Sequence, residues 1–480
     1  MNIKMVFSIL GRTLLIEAGL MLCPLLVGII YGENTWSDYL IPIGGLLAVG
    51  VPLSFALKVK DRSIYIKEGF VTVALVWVLL SLVGAVPFVL SGSIPNYIDA
   101  LFETASGFST TGASILDGNQ VESLSHSLQF WRLSTHWIGG MGVLVFVLAI
   151  LPGYNSGIMH VFRAESPGPS VGKLVSKLTH TARILYGIYI LMTVVEAIFL
   201  LCGGMNVYEA VVHAFSTAGT GGFGIKGDSI ASYSTYHQMV IAVFMLLFGI
   251  NFNLYYLILI GNFKKAIKSE EFIIYITVVV ASTLIIAINI LSVCANFGDA
   301  IRLSFFQVTS LSSSTGFSTA DINVWPALSQ SILVILMIVG ACGGSTGGGM
   351  KVSRAIILVK SGFSDIRRML HPRSVVSTKV EGEVLSKETE RNVHTYFILW
   401  VSIVAVSTLL LSIDCNDFLT NFTASISCIG NMGPLLSNAG KSFADYSAPC
   451  KLLLSFVMLV GRLEIFPMIF VLAPKTWIRA

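Results

Sequence analysis

Charged residues are scarce here: they make up 12% of the 480 residues, where a soluble domain carries about a quarter. With 54% hydrophobic residues and a mean hydropathy of +0.81, an ordinary soluble protein is excluded and a polytopic membrane protein is expected. The formal charge of +4 is too small to suggest a nucleic acid partner. Cysteine is sparse as well. The seven (Cys23, Cys202, Cys294, Cys342, Cys415, Cys428 and Cys450) form no C-x-x-C pair and mostly sit in apolar runs, which argues against a zinc site or a disulfide framework. A cleavable signal is lacking too. The first apolar run follows Met1-Asn2-Ile3-Lys4 without a small-residue cleavage site and reads as a retained helix.

What the chain has is apolar length. Stretches able to cross a bilayer fall at about 10–31, 38–57, 70–91, 128–151, 184–203, 237–260, 272–294, 327–359, 395–413 and 448–473, each near or above the ~20 residues a spanning helix needs. About ten spans are therefore expected. After the third, fifth, seventh and ninth comes a polar loop with a glycine on a common ruler. Ser106 precedes Gly112 by six places, as Ser216 precedes Gly222, Ser310 precedes Gly316 and Ser427 precedes Gly433. The glycines are 110, 94 and 117 residues apart, longer than solenoid periods, so the expectation is four copies of a helix–loop–helix module. The expected division is two leading helices at 1–66, then repeats at 67–160, 161–265, 266–365 and 366–480. The fold class is an all-α polytopic membrane protein with four pore modules around one axis.

Four such loops around an axis would form a ring of backbone carbonyls, which is how a cation filter replaces an ion's hydration shell. Glycine suits the turn that points those carbonyls inward. The candidate filter residues are Thr110, Thr111, Gly112, Thr220, Gly221, Gly222, Ser314, Thr315, Gly316, Asn431, Met432 and Gly433, with either Gly221 or Gly222 central in the second loop. Asp99, Glu209, Asp299 and Asp417 precede the glycines. They suit the positive start of a short re-entrant helix, or else a water-exposed loop edge.

Lysine and arginine set the orientation. Lys58, Lys60, Arg62 and Lys67, then Arg163, Lys173, Lys177 and Arg183, then Lys264, Lys265 and Lys268, then Lys360 through Arg391, and finally Lys475 and Arg479 share one side; the acidic segments, with Lys226, Arg302 and Lys441, share the other. The positive-inside rule puts both termini in the cytoplasm and the four loops outside.

Six glycines within Gly340–Gly349 interrupt the eighth span. At about 1 kcal/mol each relative to alanine they should unwind the helix, and a broken helix in a membrane should line a cavity. The alternatives are glycine-mediated helix packing and a nucleotide phosphate loop, whose spacing and preceding strand are missing. Arg462 and Glu464 lie inside an apolar span, where a charge is functional by default; the competing reading is an Arg462–Glu464 or other buried pair that only holds helices together. Arg12 and Glu17 are expected to snorkel from a helix end. His136 reads as a packed, hydrogen-bonded residue, with a titrating role as the alternative.

Several stretches carry a resemblance that covers essentially the whole chain: Ser109-Thr110-Thr111-Gly112-Ala113, Thr220-Gly221-Gly222-Phe223, Ser314-Thr315-Gly316-Phe317, Gly430-Asn431-Met432-Gly433-Pro434, His136-Trp137-Ile138-Gly139-Gly140-Met141-Gly142, Gly340 to Lys351, and Gly461-Arg462-Leu463-Glu464. With them the sequence resembles the TrkH-type branch of the Trk/Ktr/HKT potassium transporter superfamily. The resemblance implies potassium uptake, with the ion held at Thr111, Gly112, Gly221, Gly222, Thr315, Gly316, Asn431 and Met432. Glycine at 112 implies potassium preference, because some plant relatives with serine there favour sodium. It further implies a gate formed by Gly343, Gly344, Ser345, Thr346, Gly347, Gly348, Gly349 and Arg462. The implied partners are a second copy of the chain, membrane lipids and a cytoplasmic nucleotide-binding (NAD/ATP-type) regulatory ring docked on Arg367 to Arg391. The implied location is the bacterial inner membrane, with no cofactor and no enzymatic activity.

Two other functions compete. One is a sodium- or proton-coupled potassium symporter. The other, from a different class, is an intramembrane serine protease with Ser345 as nucleophile and His136 as base, although the expected G-x-S-G is absent.

Overall fold

The computed structural model describes residues 2–55, 66–142, 178–373, 377–414, 416–436 and 442–477. Of the cations that set the orientation, Lys58, Lys60, Arg62, Arg163, Lys173, Lys177, Lys441 and Arg479 lie outside the described residues, as do Cys415 and the boundary expected at 160/161. The architecture is helical, and the strands found are a two-residue pair, Lys379–Val380 against Glu383–Val384.

A leading pair, Ile3–Ile30 and Trp36–Phe55, packs along its length. Four units follow, each a long helix, a short helix, a loop and a second helix. The long helices are Ile66–Gly84 (continued by Val86–Leu90), Leu178–Cys202, Glu270–Asn289 and Lys387–Leu411. The short ones, which we call pore helices one to four, are Tyr97–Phe108, Val207–Ala218, Phe297–Ser312 and Phe418–Gly430.

The second helix of the second, third and fourth units is interrupted, and that of the first is described only as far as Gly142. His126–Gly140 ends in Gly139-Gly140-Met141-Gly142. Thr235–Phe248 turns by 88° into Phe252–Leu259. Ala327–Val339 stops at Gly340 and the chain resumes as Val352–Leu370. Ala448–Arg462 breaks before Phe466–Leu472. Among the described residues six helices are long and apolar enough to cross a membrane, or seven counting the bent pair; of the other expected spans, 128–151 extends beyond the described residues, and 327–359 and 448–473 are each broken. A hydropathy window averages over a backbone break, and so reads two half-helices as one span.

Capping explains where the pore helices start. Asn96, Asn206 and Asn296 accept from the backbone N–H groups of Ile98, Glu209 and Asp299, and Asp417 accepts from Thr420, each satisfying a helix-start donor for about 1 kcal/mol. Asp99, Glu209 and Asp299 occupy the first turn, and Asp417 is itself the cap. Their helix-start placement holds, with additional partners: Lys451 Nζ donates to Asp99 at 2.7 Å, Tyr233 Oη to Glu209 at 3.1 Å, and Arg302 to Asp299 at 3.1 Å.

Glu17 departs from expectation. The helix runs on to Ile30, so Glu17 is mid-span, 1% exposed, and neither carboxylate oxygen finds a hydrogen-bond partner among the described residues.

Candidate functional site

Each pore helix ends in the same backbone figure. The amide two residues before the loop glycine donates three residues back: Thr110 to Gly107, Thr220 to Thr217, Ser314 to Leu311 and Asn431 to Cys428. The next amide donates five residues back: Thr111 to Ser106, Gly221 to Ser216, Thr315 to Ser310 and Met432 to Ser427. The serine six places before each glycine is thus the residue whose carbonyl anchors the loop.

Two positions per loop are left-handed. They are Thr110 and Gly112 (φ +56° and +77°), Thr220 and Gly222 (+53° and +80°), Ser314 and Gly316 (+61° and +87°), and Asn431 and Gly433 (+52° and +87°). Gly222, not Gly221, is therefore the equivalent of Gly112. A non-glycine residue in this region costs roughly 1–2 kcal/mol, and four occur at one equivalent position. The packed helix ends behind them supply the restraint.

The loops meet in cyclic order. A Cβ on Gly112 would lie 1.9 Å from Gly221 O; on Gly222, 2.1 Å from Thr315 O; on Gly316, 2.1 Å from Met432 O; and on Gly433, 2.7 Å from Thr111 O. Each glycine abuts the carbonyl that precedes the next loop's glycine, and the fourth abuts the first, so the four loops close into a ring. Loop-to-loop equivalence places Met432 and Gly433, rather than Asn431 and Met432, alongside the pairs Thr111–Gly112, Gly221–Gly222 and Thr315–Gly316. The Asn431 side chain instead braces the ring, donating to Thr111 Oγ1 at 3.0 Å and to Met458 O at 2.9 Å.

Behind the first two loops sits a buried pair that hydropathy reasoning passes over. Arg132, 3% exposed, donates from Nε to Glu103 Oε1 at 2.6 Å. Its other nitrogens reach Gly224 O at 3.0 Å and Ser114 Oγ at 3.1 Å, and its guanidinium lies 3.6 Å from the centre of the Phe223 ring. Glu103 also accepts from Ser114 Oγ and the Ile115 amide. The rule that flags Arg462 flags Arg132 equally, since it falls inside the stretch 128–151.

The His136 to Gly142 motif is a spacer. The His136 ring is fully buried, pairs through Nδ1 with Ser216 Oγ at 3.1 Å and stacks on Phe223 at 4.3 Å. A Cβ on Gly139 would lie 1.9 Å from Phe108 O, and one on Gly140 2.7 Å from Gly219 Cα. The motif keeps the ends of pore helices one and two at backbone contact distance.

Residues 340–351 are not helical, and Gly340, Gly344, Gly349 and Lys351 take positive φ. The stretch is unwound and also tightly packed. The Gly348 amide donates to Ser314 Oγ, the Gly349 amide to Gly430 O at 2.8 Å, and a Cβ on Gly347 would lie 2.5 Å from Ser313 O. It therefore rests against loops three and four where their pore helices end. Lys351 Nζ donates back to Gly347 O, and a helix, Ala327–Val339, precedes the stretch, which removes the phosphate-loop reading.

Arg462 joins this layer to the first unit. It donates to Thr346 O at 3.0 Å, to Gly140 O at 2.6 Å and to Gly139 O. Glu464 pairs with Arg354 instead, so the suspected Arg462–Glu464 pair does not form. Ser345 Oγ donates to Cys342 O at 2.6 Å and His136 binds Ser216, so the contact a serine protease requires is absent.

Residues 45–295 and 272–477 match the TrkH family, described as cation transport proteins. The sequence is 34% identical over 486 residues to the Trk system potassium uptake protein TrkH of Escherichia coli K12, covering 99% of this chain and 100% of that protein. It is 30% identical to TrkH of Halomonas elongata and 29% identical to the Trk system potassium uptake protein TrkG of E. coli K12, each over 99% of this chain. The crystal structure of the potassium transporter TrkH from Vibrio parahaemolyticus superposes with a TM-score of 0.90 over all of both chains at 29% identity.

Proposed function

Since this chain belongs to the TrkH family of cation transport proteins, we propose that it takes up potassium through the ring of glycine loops. The observation that carries this reading is the cyclic closure of Gly112, Gly222, Gly316 and Gly433 on their neighbours' carbonyls. The carbonyls of Thr111, Gly112, Gly221, Gly222, Thr315, Gly316, Met432 and Gly433 would replace the hydration shell of a potassium ion. Potassium here is substrate, not cofactor. The membrane potential, worth about 2.3 kcal/mol per charge per 100 mV, drives it inward.

The stretch Gly343–Gly349 with Arg462 is the gate. It lies against loops three and four, and Arg462 ties it to Gly139 and Gly140 of the first unit. Control comes from a cytoplasmic nucleotide-binding ring docked on the basic segments from Arg367 to Arg391, and the membrane subunit pairs with a second copy. Arg367, Arg368, Arg373, Lys379, Lys387 and Arg391 favour the cytoplasmic side for that face. The inner membrane of a bacterium, with both termini inside, and the division into two leading helices and four repeats complete this reading.

The test is cation flux into liposomes under an imposed voltage. Potassium should enter in preference to sodium, and Arg462→Ala should raise the leak without any partner. Equal entry of both ions refutes the filter, and an Arg462→Ala leak equal to wild type leaves Arg462 structural. Coupled symport is the second reading. It is favoured by Glu17 and by Glu196, both buried within spans, the latter beside Thr217; a proton gradient that drives potassium uptake at zero voltage would support it.

A further inference from the structure

The carboxylate of Glu271, at the start of the helix Glu270–Asn289, touches both ends of the intramembrane stretch. Oε1 accepts from the Gly343 amide at 2.7 Å, at the first residue of the stretch, and from the Ser353 amide at 3.1 Å, just after it. Oε2 faces Asn251 Nδ2 at 3.4 Å, at the 88° bend of the second unit. That bend is joined to the same stretch by Cys342 N to Gly249 O and Phe252 N to Gly344 O, both 3.0 Å. One side chain thus staples the entry, the exit and the neighbouring bend.

The helix that carries Glu271 is capped from outside its own unit. Its cap residue, Ser269, makes no side-chain capping bond of its own. The carboxylate of Glu381 takes that place, accepting from Ser269 Oγ at 2.8 Å and from the Glu271 amide at 3.2 Å. Glu381 sits at the tip of the Lys379–Val384 hairpin, where Glu381 and Gly382 both take positive φ, as a two-residue type I′ turn requires. Asn, Asp or Gly is the usual residue at its position. The hairpin is held in turn by the Glu381 amide on Glu270 Oε2 at 3.3 Å, by Lys360 on Lys379 O at 2.8 Å, and by Thr378 Oγ1 on Glu390 at 2.7 Å. Its tip is exposed, between the basic residues Arg373 and Lys379 before it and Lys387 and Arg391 after it in the chain.

We propose that Glu271 is a positioning residue for the gate and that the Lys379–Val384 hairpin is its handle: the hairpin, through Glu381, fixes the helix start that holds Glu271 on Gly343 and Ser353, and displacing it releases the stretch. The inference rests on reading Gly343–Gly349 as the gate. The chain of contacts is continuous from an exposed turn to the intramembrane stretch, and the ionised carboxylate makes its bonds to both ends of the stretch charge-assisted and strong. A partner that grips the hairpin would need no contact inside the membrane.

The experiment uses the full chain in liposomes and two readouts: potassium flux, and the rate at which a water-soluble maleimide modifies Cys342, followed by peptide mass spectrometry. Cys342 is fully buried beside Gly343, so its labelling reports release of the stretch. Glu381→Ala, an exposed change, should raise both readouts at least about threefold. Glu271→Ala should do at least as much, Glu271→Asp should restore part of the hold, and the double variant should not exceed Glu271→Ala alone. Wild-type flux and labelling in Glu381→Ala, while Arg462→Ala leaks, overturn the proposal and leave the gate standing. Effects that multiply in the double variant also overturn it, because they require separate routes. If Arg462→Ala and deletion of Gly343–Gly349 also leave flux unchanged, the gate itself is refuted. Should Glu271→Ala fail to fold, Glu381→Ala still decides.

Discussion

The four loop glycines are equivalent in backbone angle but not in clearance, and the difference predicts an order of effects. Every φ lies between +77° and +87°, so the cost of placing an L side chain there, roughly 1–2 kcal/mol, is nearly the same at each and cancels in comparison. What differs is the carbonyl a new Cβ would strike. Ordinary contact begins at 3.4 Å; at Gly112 the Gly221 oxygen stands 1.9 Å away, whereas at Gly433 the Thr111 oxygen stands 2.7 Å away. The struck carbonyl must therefore move by about 1.5 Å in the first case and about 0.7 Å in the second, with Gly222 and Gly316 close to the first. A carbonyl displaced that far no longer fits a dehydrated potassium ion, while sodium tolerates a looser, partly hydrated site. Alanine or serine at 112, 222 or 316 should lower the potassium-to-sodium flux ratio by on the order of tenfold, the equivalent of about 1.4 kcal/mol. At 433 the loss should be distinctly smaller. The assay is initial uptake of each cation into liposomes at one imposed voltage, with protein content matched. Gly433→Ala equal to or worse than Gly112→Ala would refute the clearance argument, and an unchanged ratio in all four would refute the filter.

Breaking the buried Arg132–Glu103 pair from one side should cost about 3–5 kcal/mol; Glu103→Ala should show it as a large drop in thermal stability in detergent, and a variant as stable as wild type counts against the pair's role in joining loops one and two. Replacing Asn96, Asn206 or Asn296 by alanine should cost about 1 kcal/mol each, adding across sites because the helices are distinct, measurable as cumulative shifts in the same melts. Glu33 lies outside the spans and accepts from the Ser127 and His126 amides and from the His126 ring. Partial burial pushes its carboxyl up, but these hydrogen bonds outweigh it and hold the pKa below the ordinary glutamate value. Its stabilising effect is therefore present above about pH 4.3 and is lost as pH falls through the lower, folded-state value. Glu33→Gln should flatten the acid side of the stability profile, and an unaltered profile would show that other carboxylates set it.

The ring was legible because its chemistry is local. A serine carbonyl that anchors the loop, a left-handed residue and a glycine at fixed offsets recur in each copy, and no distant contact is needed to see them. The caps are equally local: Asn96, Asn206 and Asn296 stand three places before Asp99, Glu209 and Asp299, whose charges give the stronger signal. The interruptions divide by cause. The Gly340–Gly349 break follows from composition. The break after Arg462 falls at Glu464 and Ile465, non-glycine residues with φ of +56° and +69°, for which composition offers no signal. The pairing of Arg462 with Glu464 was unsound for a reason visible in advance: residues two apart on a helix do not face each other. The true partner, Arg354, stands 110 residues away, and only the fold brings it near.

Symmetry holds in one layer and fails in the next, and this separates their tasks. In the ring, four loops repeat the same two backbone bonds and the same pair of left-handed angles, which on the proposed reading gives an ion on the axis equivalent oxygens. In the layer where the second helices end or break, the four solutions differ: a helix end at Gly140, an 88° bend at 249–251, an unwound stretch at 340–351 and a break at 463–465 with two left-handed non-glycine residues. Unequal parts can interlock, and they do. Arg462 from the fourth unit holds carbonyls of the first and third, and Glu271 holds both ends of the third unit's stretch against the bend of the second. A layer of equivalent parts would have no such cross-unit staples to release one at a time. On the proposed reading the layer without symmetry is the gate, so variants there should change how much ion passes before they change which ion passes.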